Sequence, residues 1–109
     1  MKDFICGLYD GTYNTGCVLA IGKNCIVVQL LFSTLLELRS NQVVKLIQFK
    51  NSWTQVKLEY NVGTKKNEIV DLSLSVFRKK AFMRYAEELG YTTETRERFK
   101  REYHGGELR

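Results

Sequence analysis

The stretch FICGLYDGTY, residues 4–13, decides how the fold is predicted, because it places two glycines close together near the start of the chain. Gly7 and Gly11 lie four residues apart around Asp10, and the apolar residues of the stretch recur with helical spacing. A glycine inside a helix costs about 1 kcal/mol relative to alanine, so the pair needs a structural reason. The spacing predicts a first helix over residues 2–12 that presents both glycines on one face.

The length and composition of the chain predict one globular domain over residues 1–109. With 109 residues, the chain can bury a single modest core. Its apolar runs at 25–28 and 30–32 are too short to span a bilayer, and an acid interrupts the first apolar stretch before it could serve as a signal peptide. We therefore expect an intracellular protein with no membrane partner.

The three cysteines predict small buried thiols. They are Cys6, Cys17 and Cys25, an odd number with no C-x-x-C pair among them. This pattern favours neither a disulfide framework nor a zinc knuckle. The single histidine, His104, has no carboxylate or cysteine partner at a useful spacing, so we do not expect it to act as a ligand or a base.

The net charge of +5 is concentrated in the middle of the chain. Residues 45–80 contain eight basic residues and three acids, and this excess of five equals the net charge of the whole protein. A basic segment in an otherwise neutral chain predicts a surface that faces a polyanion. The alternative is a lysine-rich face that is simply solvated.

Hydrophobic periodicity predicts an α+β fold. The expected elements after the first helix are a strand at 17–21, a buried helix at 25–38, a hairpin at 43–50 and 53–61, a strand at 69–76, a helix at 78–89 that ends at Gly90, and a last helix that begins at Thr92 or Thr93. These elements predict a four-stranded antiparallel sheet with the helices on one face. The other face of the sheet would be open and partly basic. Trp53, at the start of a strand, is interpreted as a packing residue at the sheet edge in preference to a platform on which a base stacks.

The first predicted helix also resembles a known family. The run ICGLYDG at residues 5–11, with small residues at Cys6, Gly7 and Gly11, resembles the signature helix of the LAGLIDADG homing endonucleases. The stretches 21–40 and 68–91 are similar to later elements of the same family, so the resemblance extends loosely from residue 3 to about residue 101.

This resemblance implies a dimer. In the family, two signature helices pack side by side about a pseudo-dyad, and small residues four apart allow their backbones to approach closely. A chain with one motif then needs a second copy of itself or a second LAGLIDADG half. The interface residues that the resemblance implies are Ile5, Cys6, Gly7, Leu8 and Gly11.

The resemblance also implies double-stranded DNA as the partner. The paired sheets of the family form a saddle over the major groove, where strands can reach base edges. The candidates for base contacts are Lys45, Gln48, Lys50, Gln55 and Lys57. The candidates for phosphate contacts are Lys65, Lys66, Arg78, Lys79 and Lys80.

The catalytic position departs from the family pattern. Phosphodiester hydrolysis in the family requires a divalent metal held by carboxylates, and the last acid of the motif is the principal ligand. The equivalent position here is Thr12, a weak neutral ligand for Mg²⁺, and the next residue is Tyr13. Asp10 lies two residues earlier, about 200° away on a helix. The resemblance thus implies a DNA-binding protein whose cleavage activity is weak or lost.

Four other interpretations remain open. In the first, a shortened helix lets Asp10 hold Mg²⁺ and the chain is an active homodimeric endonuclease. In the second, the chain is one half of a longer nuclease or intein. Structured RNA is a further ligand, because the family includes intron maturases. In a different class of function, the chain is a small phage or viral module whose basic loop binds an acidic protein.

Overall fold

A computed structural model describes residues 1–9, 14–30, 32–62 and 68–98. These residues form eight strands and one α-helix: β1 (Lys2–Tyr9), β2 (Asn14–Ile21), β3 (Cys25–Gln29), β4 (Thr34–Arg39), β5 (Val43–Phe49), β6 (Gln55–Asn61), β7 (Ile69–Val76), α1 (Lys79–Leu89) and β8 (Thr93–Arg96). A short 3-10 turn, Ser40–Gln42, links β4 to β5. The predicted four-stranded sheet with helices on one face is therefore wrong.

All eight strands belong to one mixed sheet in the order β4-β3-β2-β1-β7-β6-β5-β8. Two antiparallel meanders, β1–β4 and β5–β7, join where β1 pairs with β7. The exception to antiparallel pairing is β8, which runs parallel to β5 after the chain has crossed over through α1. Within the described residues, the two ends of the sheet are β4 and β8.

Both meanders bury side chains in one core, to which α1 contributes Phe82, Met83 and Ala86. In β3, β6 and β7 alternate residues are the most buried, as expected for a pleated strand with one buried face, whereas β2 and β5 also bury consecutive residues at 19–21 and 46–47. The core residues with relative exposure below 2% include Leu19, Ile26, Val28, Leu46, Leu58, Leu74 and Phe82. The ring of Phe82 on α1 meets Phe4 on β1 edge to face, with their centroids 5.2 Å apart. This contact fixes the helix against the central strand.

The predicted first helix is instead the central strand β1. Phe4 and Cys6 are buried while Ile5 is 66% exposed, so burial alternates with period two. Gly7 pairs with Gly16 of β2 on one side and with Ser75 of β7 on the other. The packing of two glycine-lined helices, on which the implied dimer interface depends, therefore has no counterpart here. Leu8 packs at the margin of the core, and Gly11 lies outside the described residues.

The predicted helix at residues 25–38 is also wrong, because this segment forms the hairpin of β3 and β4. Ile26 and Val28 are fully buried and point inward on alternate positions. The turn closes with a hydrogen bond of 2.8 Å from the amide of Leu30 to the carbonyl of Ser33. The β-branched residues at 26–28 favour a strand. The apolar run is so short that its spacing alone fits a helix as well as a strand.

Four local predictions are confirmed. The strand at 17–21 lies within β2, the hairpin at 43–61 is β5 and β6, and the strand at 69–76 is β7. The helix α1 ends at Gly90, which adopts the left-handed conformation with φ 99°. The last predicted helix is wrong, since Thr93–Arg96 forms β8. No helix in the described ranges has the length and apolar character needed to cross a membrane.

Candidate ligand-binding cleft

A cleft of about 840 Å³ opens between the β5–β6 turn, residues 50–54, and the start of α1, residues 77–81. Four cations line it, namely Lys50, Arg78, Lys79 and Lys80, together with two exposed aromatic residues, Trp53 and Phe77. Uncharged polar side chains, including those of Gln48, Ser52 and Thr95, complete the lining. We call this site the basic–aromatic cleft.

Trp53 and Phe77 present their rings to solvent. Trp53 is 91% exposed and Phe77 is 66% exposed. The interpretation of Trp53 as a packing residue at the sheet edge is therefore wrong. Large exposed apolar groups that gather on one surface commonly mark a binding site, and here both belong to the same cleft.

The turn that carries Trp53 is held on both sides. The hydroxyl of Ser52 accepts hydrogen bonds from the amides of Thr54, at 3.3 Å, and Gln55, at 3.1 Å. The carbonyl of Thr54 accepts the amide of Val76 at 2.8 Å, which ties the turn to the end of β7. Local side-chain acceptors of this kind stabilise turns. Trp53 is thus exposed on a well-bonded turn.

Lys79 joins the two walls of the cleft. Its side chain is 7% exposed, and its ammonium donates to the carbonyls of Phe49, at 2.9 Å, and Ser52, at 2.5 Å. Desolvation lowers the pKa of Lys79, and the neighbouring charge of Lys80 lowers it further. Because its donors already serve the protein backbone, Lys79 positions the turn rather than reaching outward to a phosphate as the sequence led us to expect.

The other cations of the cleft differ in their partners. Arg78 and Lys80 are exposed, and no carboxylate of the described residues lies within 4.0 Å of either. Lys50 forms an exposed ion pair with Glu97, its ammonium 3.0 Å from the carboxylate. The cleft therefore offers two cations free of ion pairs within the described chain and a third whose partner is a solvated surface acid.

The strand lysines that were candidates for base contacts lie on an ion-paired sheet face. Lys45 on β5 contacts Glu94 on β8 at 2.6 Å, and the ammonium of Lys57 on β6 lies 3.9 Å from the carboxylate of Asp71 on β7. Hydrogen bonds from Arg96 and then Lys45 lower the pKa of Glu94 to about 2. We call this surface, with Lys45, Lys57, Asp71, Glu94 and Arg96, the paired face.

The fold thus separates the sequence candidates into groups. The basic–aromatic cleft brings together Gln48, Lys50, Arg78, Lys79 and Lys80. Lys45 and Lys57 lie on the paired face, and Gln55 beside them has a buried side-chain oxygen with no hydrogen-bond partner in the described chain. Lys65 and Lys66 lie outside the described residues. Sequence reasoning missed Phe77, although an aromatic residue directly before three basic residues was a usable signal.

Metal-binding and nucleophilic groups are sparse in the described ranges. They contain no cluster of three or more His, Cys, Asp or Glu side chains able to hold a metal ion. Asp10, Thr12 and His104 lie outside these ranges. Cys6 and Cys17 are buried opposite each other on β1 and β2, and burial raises the pKa of Cys6, which keeps this thiol protonated. The prediction of buried thiols is confirmed for these two, whereas Cys25 is only partly buried.

Comparison of the chain with protein-family models and with curated proteins gives no match.

Proposed function

We propose that the protein binds single-stranded nucleic acid in the basic–aromatic cleft. The observation that carries the proposal is the near-complete exposure of Trp53 in a cleft that also presents Phe77 and two cations without ion pairs. Proteins that bind single strands combine aromatic rings, on which bases stack, with a positive groove that follows the backbone. Trp53 and Phe77 would stack on bases while Arg78 and Lys80 contact phosphates.

The size and lining of the cleft support a nucleotide ligand. A volume of about 840 Å³ is within the range of small-ligand sites, which run from about 300 to 1,000 Å³. The polar side chains of Gln48, Ser52 and Thr95 offer donors and acceptors beside the aromatic rings. Such groups can form hydrogen bonds with base edges and sugars, whereas in a membrane interior they would lack hydrogen-bond partners.

A single strand fits this site better than a duplex. In a duplex the faces of the bases are stacked on each other and cannot reach a protruding indole. The sheet saddle expected for duplex DNA also loses Lys45 and Lys57, because both are engaged by acids on the paired face. These two facts favour unpaired DNA or RNA over the double-stranded DNA that the sequence resemblance implies.

The first experiment uses Trp53 as its own probe, because it is the only tryptophan in the chain. An oligothymidylate of about 12 nucleotides is titrated into the protein at about 50 and about 200 mM salt. Stacking should quench the tryptophan fluorescence, and contacts from Lys50, Arg78 and Lys80 should give a slope of log K against log salt of about −2. The absence of both quenching and binding at low salt would overturn the proposal.

Parallel titrations separate the competing ligands. A duplex of matched length, an oligouridylate, vesicles of phosphatidylserine and phosphatidylcholine, and polyglutamate are each tested at the low salt concentration. Tighter binding of the vesicles or polyglutamate than of the single strand would contradict the proposal in favour of a membrane or an acidic protein partner. Incubation of the oligonucleotides with Mg²⁺, followed by gel analysis, tests the endonuclease alternative.

Two matched lysine variants locate the binding surface. Lys80→Ala removes a free cation of the cleft and should make the salt slope shallower by about 0.7. Lys23→Ala removes an equally exposed lysine from the β2–β3 turn, outside the cleft, and should leave the slope unchanged. Equal effects of the two variants would show that binding is diffuse rather than located in the cleft.

A further inference from the structure

In the part of the chain that the structure describes, the strand β4 is the outermost strand of the sheet at the end opposite β8. Among the described residues, β3 is the only strand that pairs with β4. The side chains of Thr34, Leu35, Glu37 and Arg39 are exposed, while Leu38 turns into the core. An uncovered strand edge presents a row of backbone donors and acceptors that can pair with a further strand.

The hydrogen bonds show which backbone groups of β4 point outward. The amide of Arg39 donates to the side-chain oxygen of Gln42 at 2.9 Å, so it does not face β3. Backbone groups alternate in direction along an antiparallel strand. The amide and carbonyl of Glu37, two residues earlier, therefore also point away from β3 and are available to a second strand.

The side chains at this edge are complementary to themselves. Glu37 and Arg39 lie two residues apart on the same exposed face, and neither forms an ion pair within the described chain. Two antiparallel copies of β4 that cross at Leu38 place Glu37 directly opposite Arg39, so that the outward amide of Glu37 can donate to the carbonyl of the partner's Arg39 while the amide of Arg39 keeps its bond to Gln42. Copies that cross at Glu37 place the two Glu37 carboxylates directly opposite each other, which is unfavourable, so the charges favour the register that crosses at Leu38.

Exposed apolar residues lie beside these charges. Phe32, in the β3–β4 turn, is 92% exposed, and Leu35 is 43% exposed. A second copy of the strand would cover part of this apolar surface while the two charge pairs set its register. A foreign antiparallel strand would need an acid and a base with the same spacing and order, which a second copy of the chain supplies by symmetry.

We propose that β4 is a self-association edge, at which two copies of this chain pair their β4 strands antiparallel about a two-fold axis. The contact is isologous, because each Glu37 meets the partner's Arg39 and each Arg39 meets the partner's Glu37. It extends the sheet of one subunit into that of the other. The contact involves no residue of the basic–aromatic cleft, so dimer formation and nucleic-acid binding can be tested independently.

Sedimentation equilibrium over a concentration series tests this inference on the full chain. The weight-average mass should rise with concentration from 12.7 kDa toward twice that value. Glu37→Pro should keep the chain monomeric, because it removes an outward-pointing amide without breaking a hydrogen bond to β3. A wild-type chain that stays monomeric up to millimolar concentration would overturn the inference.

A charge exchange distinguishes β4 from any other dimer contact. Glu37→Arg and Arg39→Glu each place like charges together, so each variant alone should be monomeric. Mixed in equal amounts, the two variants should restore the dimer, because every cross-strand pair is again of opposite sign. Dimers that persist in both single variants, or a mixture that remains monomeric while the wild type dimerises, would place the contact elsewhere.

Discussion

The basic–aromatic cleft and the paired face contain similar lysines in very different electrostatic surroundings. On the paired face, Lys45 and Lys57 each have an acid from a neighbouring strand within 4.0 Å. In the cleft, Arg78 and Lys80 have none among the described residues. The difference shows that a count of cations along the sequence does not locate a polyanion site. What matters is where the fold places the acids.

Of the two acids of the paired face, Asp71 lies on β7 and Glu94 lies on β8, far from the lysines in sequence. Glu94 reaches Lys45 because β8 pairs in parallel with β5, with Glu94 in register with Ile47. At the start of α1, neither Arg78 nor Lys80 has an acid of the described residues within 4.0 Å. The cleft thus retains its positive charge by topology, even though both surfaces belong to one basic segment of the chain.

The largest expected effect separates Lys79 from its neighbour Lys80. Lys79→Met should destabilise the fold by about 1.5–3 kcal/mol, because it leaves the carbonyls of Phe49 and Ser52 without their charged donor. Lys80→Met, one residue further on the exposed side of α1, should change stability by less than about 0.5 kcal/mol. Urea denaturation of the two variants measures both values. Equal stabilities would refute the positioning role of Lys79.

The parts of the fold that could be predicted are those whose signal is local. In β6 the alternation of Val56 and Leu58 with polar residues is unambiguous, and both are buried. In α1 the spacing of Phe82 and Ala86, with Gly90 after the last turn, predicts both the buried face and the end of the helix. These elements required no knowledge of their neighbours.

The parts that could not be predicted depend on partners distant in sequence. Gly7 lies in β1 between two paired strands, opposite Gly16 and Ser75. The helix prediction assumed instead that a second helix packs against this glycine. β8 contains no apolar residue whose pattern could predict a strand. It forms a strand because its backbone pairs with the edge of β5. For the same reason, the composition indicated a basic site but did not reveal that Lys79 is buried while Trp53 is exposed.

Acid should weaken the paired face through the protonation of Glu94. The pKa of Glu94 is about 2 in the fold against an ordinary value of 4.5, so its contribution to stability is complete above pH 4.5 and is lost as the pH falls toward 2. As the pH falls between these two values, Glu94 is protonated in the unfolded state while it remains ionised in the folded state. The stability difference between wild type and Glu94→Gln should therefore shrink across this range, which urea denaturation at several pH values measures.

The matched control for this pH experiment is Glu88→Gln, an exposed carboxylate on α1 outside the paired face. Any loss of stability in this variant reports the general effect of removing one negative charge from a basic protein. If Glu94→Gln and Glu88→Gln follow the same profile, the hydrogen bonds of Lys45 and Arg96 to Glu94 do not contribute to stability.

The smallest expected effect concerns Glu97, which forms an ion pair with Lys50 of the cleft. Its ion pair with Lys50 is exposed on both sides, so it is worth at most about 1 kcal/mol. A phosphate that binds Lys50 must displace this carboxylate. Glu97→Gln should therefore increase the affinity for oligothymidylate by up to about fivefold at low salt, with less gain at high salt. Fluorescence titration of Trp53 measures both values.

The comparison of Glu97→Gln with Glu94→Gln then separates the two basic regions by function. Glu94→Gln also removes one negative charge, but it frees Lys45 on the paired face rather than a cation of the cleft. If binding is located in the cleft, Glu97→Gln should improve it more than Glu94→Gln does. Equal gains would mean that the ligand responds to net charge alone, and a larger gain from Glu94→Gln would move the binding surface to the sheet face.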